Sequence, residues 1–263
     1  MAEERRWALI LGASSGFGEA TSLELAAAGY DIIGVHLDRK GTMPHVEDVI
    51  GGIRAAGRAA VFFNVNAADP ERRVEVLARA REEAGTGGAV GVLLHSLAFG
   101  NLRPYIAETA ADAITPAQMD MTLSVMAHSL VYWTQDLVHS GLMRRGGKIF
   151  AMTSAGGTRV LPNYGAVSAA KAALESHIRQ LAMELAPRDI TINAIRAGVT
   201  DTPALRKIPG NEAIVEQALR RNPSGRLTTT RDVARAIAAL CGPGTEWMTG
   251  NVIGVDGGED VIG

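Results

Sequence analysis

Short apolar runs alternate along this chain with longer segments whose apolar residues recur at helical spacing. The runs are bounded by Gly, Asp or Asn, and several, such as residues 89–94, are apolar almost throughout. A continuous apolar run is typical of a parallel strand with both faces covered. The alternation therefore predicts an α/β fold, a doubly wound parallel sheet of seven strands with helices on both faces.

The predicted elements follow one another without an internal repeat, a low-complexity linker or a break in composition, so we expect one domain over residues 1–263. Only residues 197–225, rich in Pro, Gly, Thr and charge, interrupt the alternation, and we expect them to form a mobile loop over the substrate. The predicted strands span residues 7–12, 31–37, 59–64, 90–95, 148–153, 190–195 and 252–255. The predicted helices span residues 16–28, 45–56, 69–84, 115–140, 166–186 and 230–240.

Composition and charge exclude several classes of function. The net charge is −2, which gives no electrostatic footprint for nucleic acid or a membrane surface. The single cysteine, Cys241, forms no intrachain disulfide and rules out a multi-cysteine zinc site. Residues 1–6 are charged and polar, unlike a secretory signal, and no apolar run reaches the roughly 18 residues that span a bilayer. We therefore expect a protein of a reducing compartment, the cytoplasm, with no metal, nucleic-acid or membrane partner.

A glycine-rich turn, Gly12-Ala-Ser-Ser-Gly-Phe-Gly18, joins the first predicted strand to the first predicted helix. Glycines there let backbone N–H groups approach a pyrophosphate, and a helix N-terminus favours negative charge. The spacing G-x-x-x-G-x-G departs from the general dinucleotide fingerprint, so the alternative is a tight turn that binds nothing. The candidate phosphate-binding residues are Gly12, Ser14, Ser15, Gly16, Phe17 and Gly18.

This glycine spacing is that of the short-chain dehydrogenase/reductase superfamily, which the chain resembles over nearly its whole length. The segment from Asn193 to Gly198, followed by Thr202, is similar to the part of that superfamily that meets the nicotinamide carboxamide. The tail from Gly250 to Gly258 is similar to its last strand. The resemblance implies a Rossmann fold and a nicotinamide cofactor. The cofactor-binding positions that it implies beyond the glycine turn are Asn64, Val65, Ser96, Leu97, Ala98, Lys171, Gly198, Val199 and Thr202.

The end of the second predicted strand bears on the choice of cofactor. An acidic residue there binds the ribose 2′-OH of NAD, whereas a cation accommodates a 2′-phosphate. By resemblance the acidic position falls on His36, and Arg39 and Lys40 follow. These residues favour NADP, in its reduced form NADPH, with Arg39 as the phosphate contact. Asp38, as an acceptor for a ribose hydroxyl, keeps NAD as the alternative.

Tyr164 and Lys171 are the candidate catalytic pair. In the superfamily a Tyr phenol donates a proton, and a nearby Lys lowers its pKa and binds the nicotinamide ribose. The usual spacing is Tyr-x-x-x-Lys, but here seven residues separate the two. If the segment is helical throughout, both still share one helix face, and the phenol moves up to about 4.5 Å farther from the ribose anchor. The longer spacing suits hydride delivery to the β-carbon of an enoyl thioester, whose carbonyl oxygen lies farther from the nicotinamide.

Tyr-x₆-Lys is also the spacing of bacterial enoyl-acyl-carrier-protein reductases, which the chain resembles more than ordinary ketoreductases. The run His95-Ser-Leu-Ala-Phe-Gly100 is similar to theirs, and Met126 stands where ketoreductases carry a proton-relay Asn. Ser154 is a counter-signal, since it aligns with a ketoreductase's catalytic Ser and with a second Tyr of typical enoyl reductases. We expect it either to hydrogen-bond a substrate oxygen or to cap a strand end.

The sequence therefore predicts an NAD(P)H-dependent reductase of the C=C bond of 2-enoyl thioesters, with Tyr164, Lys171 and Ser154 at the centre. A carbonyl or 3-oxoacyl reductase, or an alcohol dehydrogenase, is the first alternative, and a non-catalytic dinucleotide sensor is the second. His95 is interpreted as a structural strand-end residue and not as a metal ligand. The resemblance implies a homotetramer in which the helices around residues 115–140 and 166–186 pack between subunits. The substrate partner is a small acyl thioester or carbonyl compound.

Overall fold

The computed structural model describes residues 6–85 and 87–262. Within them, seven strands form one parallel sheet in the order β3-β2-β1-β4-β5-β6-β7. The charged residues 1–5, part of the segment interpreted as unlike a signal, lie outside the described residues. The strands are β1 (Arg6–Leu11), β2 (Asp31–His36), β3 (Ala60–Asn64), β4 (Ala89–His95), β5 (Lys148–Thr153), β6 (Thr191–Ala197) and β7 (Val252–Val255).

Helices cover both faces of the sheet, because side chains alternate between the faces along each strand. In β1, Trp7, Leu9 and Leu11 face one core, and Ala8 and Ile10 face the other. The first core is closed by α3 (Pro70–Ala84), α5 (Ser129–His139) and α6 (Gly165–Leu185). The second is closed by α1 (Gly16–Ala27), α2 (Met43–Ala55) and, after the last long loop, α8 (Thr230–Leu240). The predicted fold class is confirmed.

The strand order reverses between β1 and β4, so the loops that follow these two strands diverge and leave a crevice. The carboxyl ends of β5 and β6 lie beside it along the same edge. The glycine turn, the segment after His95 and the loop after β6 all emerge at this edge. The fold therefore gathers the predicted cofactor and catalytic segments on one side of the sheet.

The predicted helix over residues 115–140 is interrupted. Thr115 caps α4 (Pro116–Leu123) in a reciprocal capping box with Gln118, and a π-helical segment, Ser124–His128, separates α4 from α5. Apolar periodicity does not reveal one inserted residue in a helical turn, which is why the sequence predicts one unbroken helix.

The segment over residues 197–225, which interrupts the predicted alternation, contains a helix, α7 (Asn211–Arg221). Pro209 and Gly210 stand just before it, and no side chain caps its first turn, so the usual start signals are missing. Within the described residues, no helix is long and apolar enough to cross a membrane.

Candidate active site

The turn between β1 and α1 is packed so tightly that it admits only glycine at two positions. Gly12 has φ +90°, and a Cβ there would overlap the backbone oxygen of Ser96, at the start of the loop after β4. A Cβ on Gly18 would overlap the backbone oxygen of Gly12. The Ser96 amide in turn donates to the Leu11 oxygen at 2.9 Å. Because Gly12 and Gly18 have no side chain, the segments that follow β1 and β4 can pack in direct contact.

The first turn of α1 offers backbone donors without a side-chain cap. Ser15 is the N-cap residue, yet its side chain makes no capping hydrogen bond. The amides of the first helical turn have no partner inside a helix and require one from a cap, solvent or a ligand. Gly16 has φ +59°, a left-handed conformation that favours glycine. Phe17 packs against the second core instead of covering them. The turn fits a pyrophosphate group.

The loop after β6 folds back onto the glycine turn. A Cβ on Gly16 would lie 3.6 Å from Cγ2 of Thr202, so these two residues are in contact distance. Glu259, in the carboxyl-terminal tail, accepts a hydrogen bond from the Val199 amide at 3.0 Å. Burial raises the pKa of Glu259, whereas that hydrogen bond lowers it. The structure thus brings Thr202 next to the phosphate-binding turn and ties Val199, after Gly198 in the same loop, to Glu259, a contact that the sequence does not reveal.

Asn64, at the end of β3, holds the loop that follows β2. Its Oδ1 accepts from the Asp38 amide at 2.9 Å, and its Nδ2 donates to the Asp38 oxygen at 3.0 Å. The Val65 amide donates to the His36 oxygen at 2.8 Å. Both contacts are structural, and they set the position of this loop at the edge of the crevice.

Asp38 is an ionised carboxylate with several partners. His36 Nδ1 lies 3.0 Å from Asp38 Oδ2, and the Thr42 hydroxyl donates to Oδ1 at 2.7 Å. Burial raises the pKa of Asp38, but hydrogen bonds from Ser14, Thr42 and His36 outweigh it and lower the pKa. Arg39 is exposed, and among the described residues its guanidinium has no hydrogen bond or ion pair. The acidic group is therefore engaged within the chain, and the cation beside it is free.

Tyr164 occupies the N-cap position of α6, and Ser154 follows the last residue of β5. The Ser154 hydroxyl accepts from the Gly156 amide at 3.0 Å and is hydrogen-bonded to the Tyr164 phenol. The contact with the Gly156 amide fits the predicted role of Ser154 as a cap after the strand, whereas its hydrogen bond to a substrate oxygen stays a prediction. A Cβ on Gly156 would lie 2.6 Å from the Tyr164 ring, so this glycine is needed for the ring's position.

The pKa of Tyr164 is raised, and burial is the largest cause; the hydrogen bond from Ser154 acts in the opposite direction. Burial therefore sets the direction of this shift, and the lowering of the Tyr164 pKa by Lys171 stays a prediction. Sequence spacing reveals that a cation shares the helix face, but not how deeply the phenol is buried. A buried phenol that keeps its proton is a hydrogen-bond donor at neutral pH.

Lys171 is buried on α6, with 5 % of its surface exposed. Its Nζ donates to the Met152 oxygen of β5 at 2.7 Å. Burial lowers the pKa of Lys171 to about 8, and the carboxylate of Glu175 partly offsets that effect. The chain from Gly165 to Lys171 is helical, so the seven-residue spacing does place the ammonium two turns beyond Tyr164.

His95 and Met126 are buried residues that pack beneath the loop after β4. His95 is fully buried, with Nε2 2.8 Å from the Ser129 hydroxyl, and burial together with Lys171 lowers its pKa to about 3. A neutral imidazole is structural here, and the described residues contain no cluster of three or more His, Cys, Asp or Glu that could hold a metal. Met126, in the π-helical segment, packs below the loop that contains Leu97, Ala98 and Gly100.

Comparisons with known proteins show the family to which the chain belongs. The family model described as "Enoyl-(Acyl carrier protein) reductase" matches residues 12–259. The chain is 30 % identical to the 1-cyclohexenylcarbonyl-CoA reductase of Streptomyces collinus, over 99 % of the chain and 89 % of that protein. It is 31 % identical to the 3-oxoacyl-[acyl-carrier-protein] reductase FabG of Aggregatibacter actinomycetemcomitans, over 95 % and 97 %.

Among solved structures, the enoyl-[acyl-carrier-protein] reductase (NADH) of Aquifex aeolicus superposes with a TM-score of 0.84 at 25 % identity, covering 99 % of this chain and 98 % of that one. Enoyl and 3-oxoacyl reductases are thus both among the relatives. The chain belongs to the short-chain dehydrogenase/reductase superfamily, in the family whose model is described as enoyl-(acyl carrier protein) reductase, and is an NAD(P)-dependent oxidoreductase of the short-chain dehydrogenase/reductase type.

Proposed function

We propose that this protein is a one-domain reductase that uses NAD(P)H to reduce the C=C bond of 2-enoyl thioesters. The observation that carries the proposal is the position of Tyr164 at the start of α6, two helical turns before Lys171. About 1.5 Å of rise per residue separates the two along the helix axis, so the phenol reaches farther from the ribose anchor than a four-residue spacing allows. In an enoyl thioester the hydride goes to the β-carbon, so the carbonyl oxygen that accepts the phenol's hydrogen bond lies farther from the nicotinamide and matches this longer distance.

The cofactor would lie along the carboxyl edge of the sheet. The amides of Gly16, Phe17 and Gly18 would hold its pyrophosphate, with the open Ser15 hydroxyl beside them, and Lys171 would bind the nicotinamide ribose. Thr202 and the Val199 backbone would meet the carboxamide. When bound, the reduced nicotinamide supplies the hydride. The fit rests on the uncapped first turn of α1 and on the side-chain-free approach at Gly12.

Tyr164 would stabilise the charge that develops on the substrate. Addition of hydride at the β-carbon moves an electron pair onto the thioester oxygen, and the enolate then takes a proton at the α-carbon from solvent. A phenol whose raised pKa keeps it protonated donates to that oxygen, with Ser154 as its partner. Hydrogen bonds aimed at a developing oxyanion lower the barrier, and one such donor contributes about 10²- to 10³-fold in kcat.

NADPH is the reduced cofactor we propose as preferred. The carboxylate of Asp38 is occupied by Ser14, Thr42 and His36, so its acceptor capacity for a ribose hydroxyl is largely used. Arg39 is exposed at the same edge and suits a 2′-phosphate. NADH remains the second cofactor to be measured, because an ionised Asp38 near the same site repels a phosphate.

A carbonyl or 3-oxoacyl reductase is the second candidate function. The hydrogen bond between Ser154 and Tyr164 favours it, because a paired Ser and Tyr suit protonation of a ketone oxygen. The similarity to a FabG protein supports it as well. The two candidates differ in product: a C=C reduction converts crotonyl thioester to butyryl thioester, and a C=O reduction converts a 3-oxoacyl thioester to the 3-hydroxyacyl compound.

Incubation of the purified protein with NADPH and crotonyl-coenzyme A, followed by mass analysis of the thioester, tests the proposal. Butyryl thioester is the expected product, and Tyr164→Phe should lower its rate of formation about 10²- to 10³-fold. Turnover of ketones alone would move the assignment to the second candidate. Tight NADPH binding without turnover of either class would instead leave a dinucleotide sensor.

We also propose a homotetramer of the cytoplasm, with the outer faces of α5 and α6 between subunits and residues 197–225 closing over the acyl chain. Tyr132 on α5 and Met183 on α6 are exposed, and apolar side chains of this kind are suited to a subunit interface. Sedimentation or light scattering gives the mass directly. A monomeric mass at micromolar concentration would contradict the assembly.

A further inference from the structure

Two side chains of α6 hold the last two residues of β5. Lys171 donates to the Met152 oxygen at 2.7 Å, and Glu175, one helical turn later, accepts from the Thr153 hydroxyl at 2.7 Å. We call these two contacts the β5 clamp. They grip consecutive residues immediately before Ser154, the residue that is hydrogen-bonded to Tyr164. The clamp thus ties the two residues of β5 that precede Ser154 to α6.

The surroundings of the clamp make Glu175 more than a surface charge. Thr153 is 6 % exposed, so the hydroxyl that Glu175 accepts from is shielded from water. A Cβ on Gly157 would lie 3.4 Å from Cβ of Lys171 and 3.8 Å from Oε1 of Glu175, so the turn after Ser154 packs on both side chains. A buried charge is costly without an opposite charge nearby, and Glu175 is the acidic group that faces Lys171.

We infer that Glu175 is a positioning residue, which fixes the Ser154 end of β5 through Thr153 and keeps the buried Lys171 charged. The inference rests on the proposed roles of Lys171 and Ser154 in the reaction. Glu175 touches neither substrate nor cofactor in this arrangement. The other titratable groups beside Lys171 are His95, from β4, and Tyr164, at the start of α6. His95 is neutral and Tyr164 is protonated at pH 7, so neither replaces the carboxylate.

Glu175→Gln tests the charge, because glutamine still offers an oxygen to Thr153. Glu184→Gln is the matched control: it lies on the same helix, is exposed, and its carboxylate accepts from Gln180. NADPH binding is followed by nicotinamide fluorescence between pH 6 and 9.5, without substrate. Wild type and Glu184→Gln should lose affinity as the pH passes about 8, the pKa of Lys171. Glu175→Gln should lose it roughly one pH unit lower, and bind about threefold more weakly at pH 7.5. A profile that superimposes on wild type overturns the inference.

A second readout needs no cofactor. The free energy of unfolding rises with pH where the folded protein releases the Lys171 proton before the unfolded chain does. In Glu175→Gln the onset of that rise should move down by roughly one pH unit. An unchanged onset overturns the inference. If the wild type shows no pH limit in NADPH binding, that result counts against the proposed role of Lys171, and the onset of the rise in stability still tests Glu175.

Thr153→Val tests the positioning of Ser154 and covers the case in which Glu175→Gln fails to fold. Valine keeps the shape and both charges but removes the donor to Glu175. With whichever thioester the wild type reduces, kcat should fall about tenfold, while the pH limit of NADPH binding stays near that of the wild type. An unchanged kcat overturns the part of the inference that acts through β5.

Discussion

Lys171→Met removes the buried ammonium of α6 and keeps an unbranched side chain of similar length. Burial lowers the pKa of Lys171 from 10.5 to about 8 in the folded protein, whereas the unfolded chain titrates near the ordinary value. Between these two pH values the unfolded chain still holds a proton that the folded protein has released, so stability rises with pH. The difference between the two pKa values corresponds to about 3 kcal/mol, of which about 2.5 kcal/mol develops between pH 7 and pH 10.

Other groups titrate in this window with the opposite sign. Burial raises the pKa of the Cys241 thiol to about 12 and also raises the pKa of Tyr30 and Tyr164. Each of these acids keeps its proton in the folded protein after the unfolded chain has lost it, so each lowers stability as the pH rises. They are present in both proteins. The difference in free energy of unfolding between wild type and Lys171→Met therefore isolates the lysine.

Urea denaturation at fixed protein concentration and at pH 7, 8, 9 and 10 measures that difference. The wild type should gain about 2.5 kcal/mol relative to Lys171→Met between pH 7 and pH 10, most of it above pH 8. Lys207→Met, at an exposed lysine, gives the effect of removing one surface cation. If the difference in free energy of unfolding between wild type and Lys171→Met stays constant within about 0.5 kcal/mol, the claim that burial destabilises the charged form of Lys171 is refuted.

Three further substitutions test the site. Gly12→Ala should lower the free energy of unfolding, measured in urea, by more than about 2 kcal/mol, because its Cβ overlaps the Ser96 backbone. Gly57→Ala, also at positive φ but in open space, should lose only the smaller amount that comes from backbone strain. Equal losses would contradict the close approach at Gly12. Arg39→Ala should raise the KM for NADPH about tenfold and leave that for NADH unchanged; an equal effect on both would remove Arg39 from the phosphate site. Gly156→Ala should lower kcat at least about tenfold by pushing the Tyr164 ring, and kcat equal to that of the Gly157→Ala control would contradict it.

The fold was predictable because it rests on local patterns. Two-sided burial forces β1 and β4 to be apolar nearly throughout, and a β–α turn that opens toward the sheet edge needs glycine at Gly12 and Gly18. The order of those patterns along the chain is enough to place the crevice. The helix α7 was missed because Pro209 and Gly210 precede it and no side chain caps its first turn. The π-helical segment was missed because one inserted residue leaves the surrounding pattern helical.

The electrostatics of the site were not predictable from spacing. Lys171 shares a helix face with Tyr164, but its ammonium is directed to the Met152 oxygen, a partner 19 residues earlier in the chain. The contacts between Glu175 and Thr153, and between Glu259 and the Val199 amide, likewise join distant segments. A pKa depends on burial and on such partners, and both arise only when the strands and helices have packed.

The most direct test of the proposed reaction compares two substrates that differ at the reacting carbons alone. The rates of NADPH consumption with crotonyl-coenzyme A and with acetoacetyl-coenzyme A give the two values of kcat/KM for the same protein preparation. The placement of Tyr164 two turns ahead of Lys171 predicts a kcat/KM for the crotonyl thioester at least about tenfold higher, a difference of about 1.4 kcal/mol in transition-state stabilisation. A preference of that size for acetoacetyl-coenzyme A would contradict it.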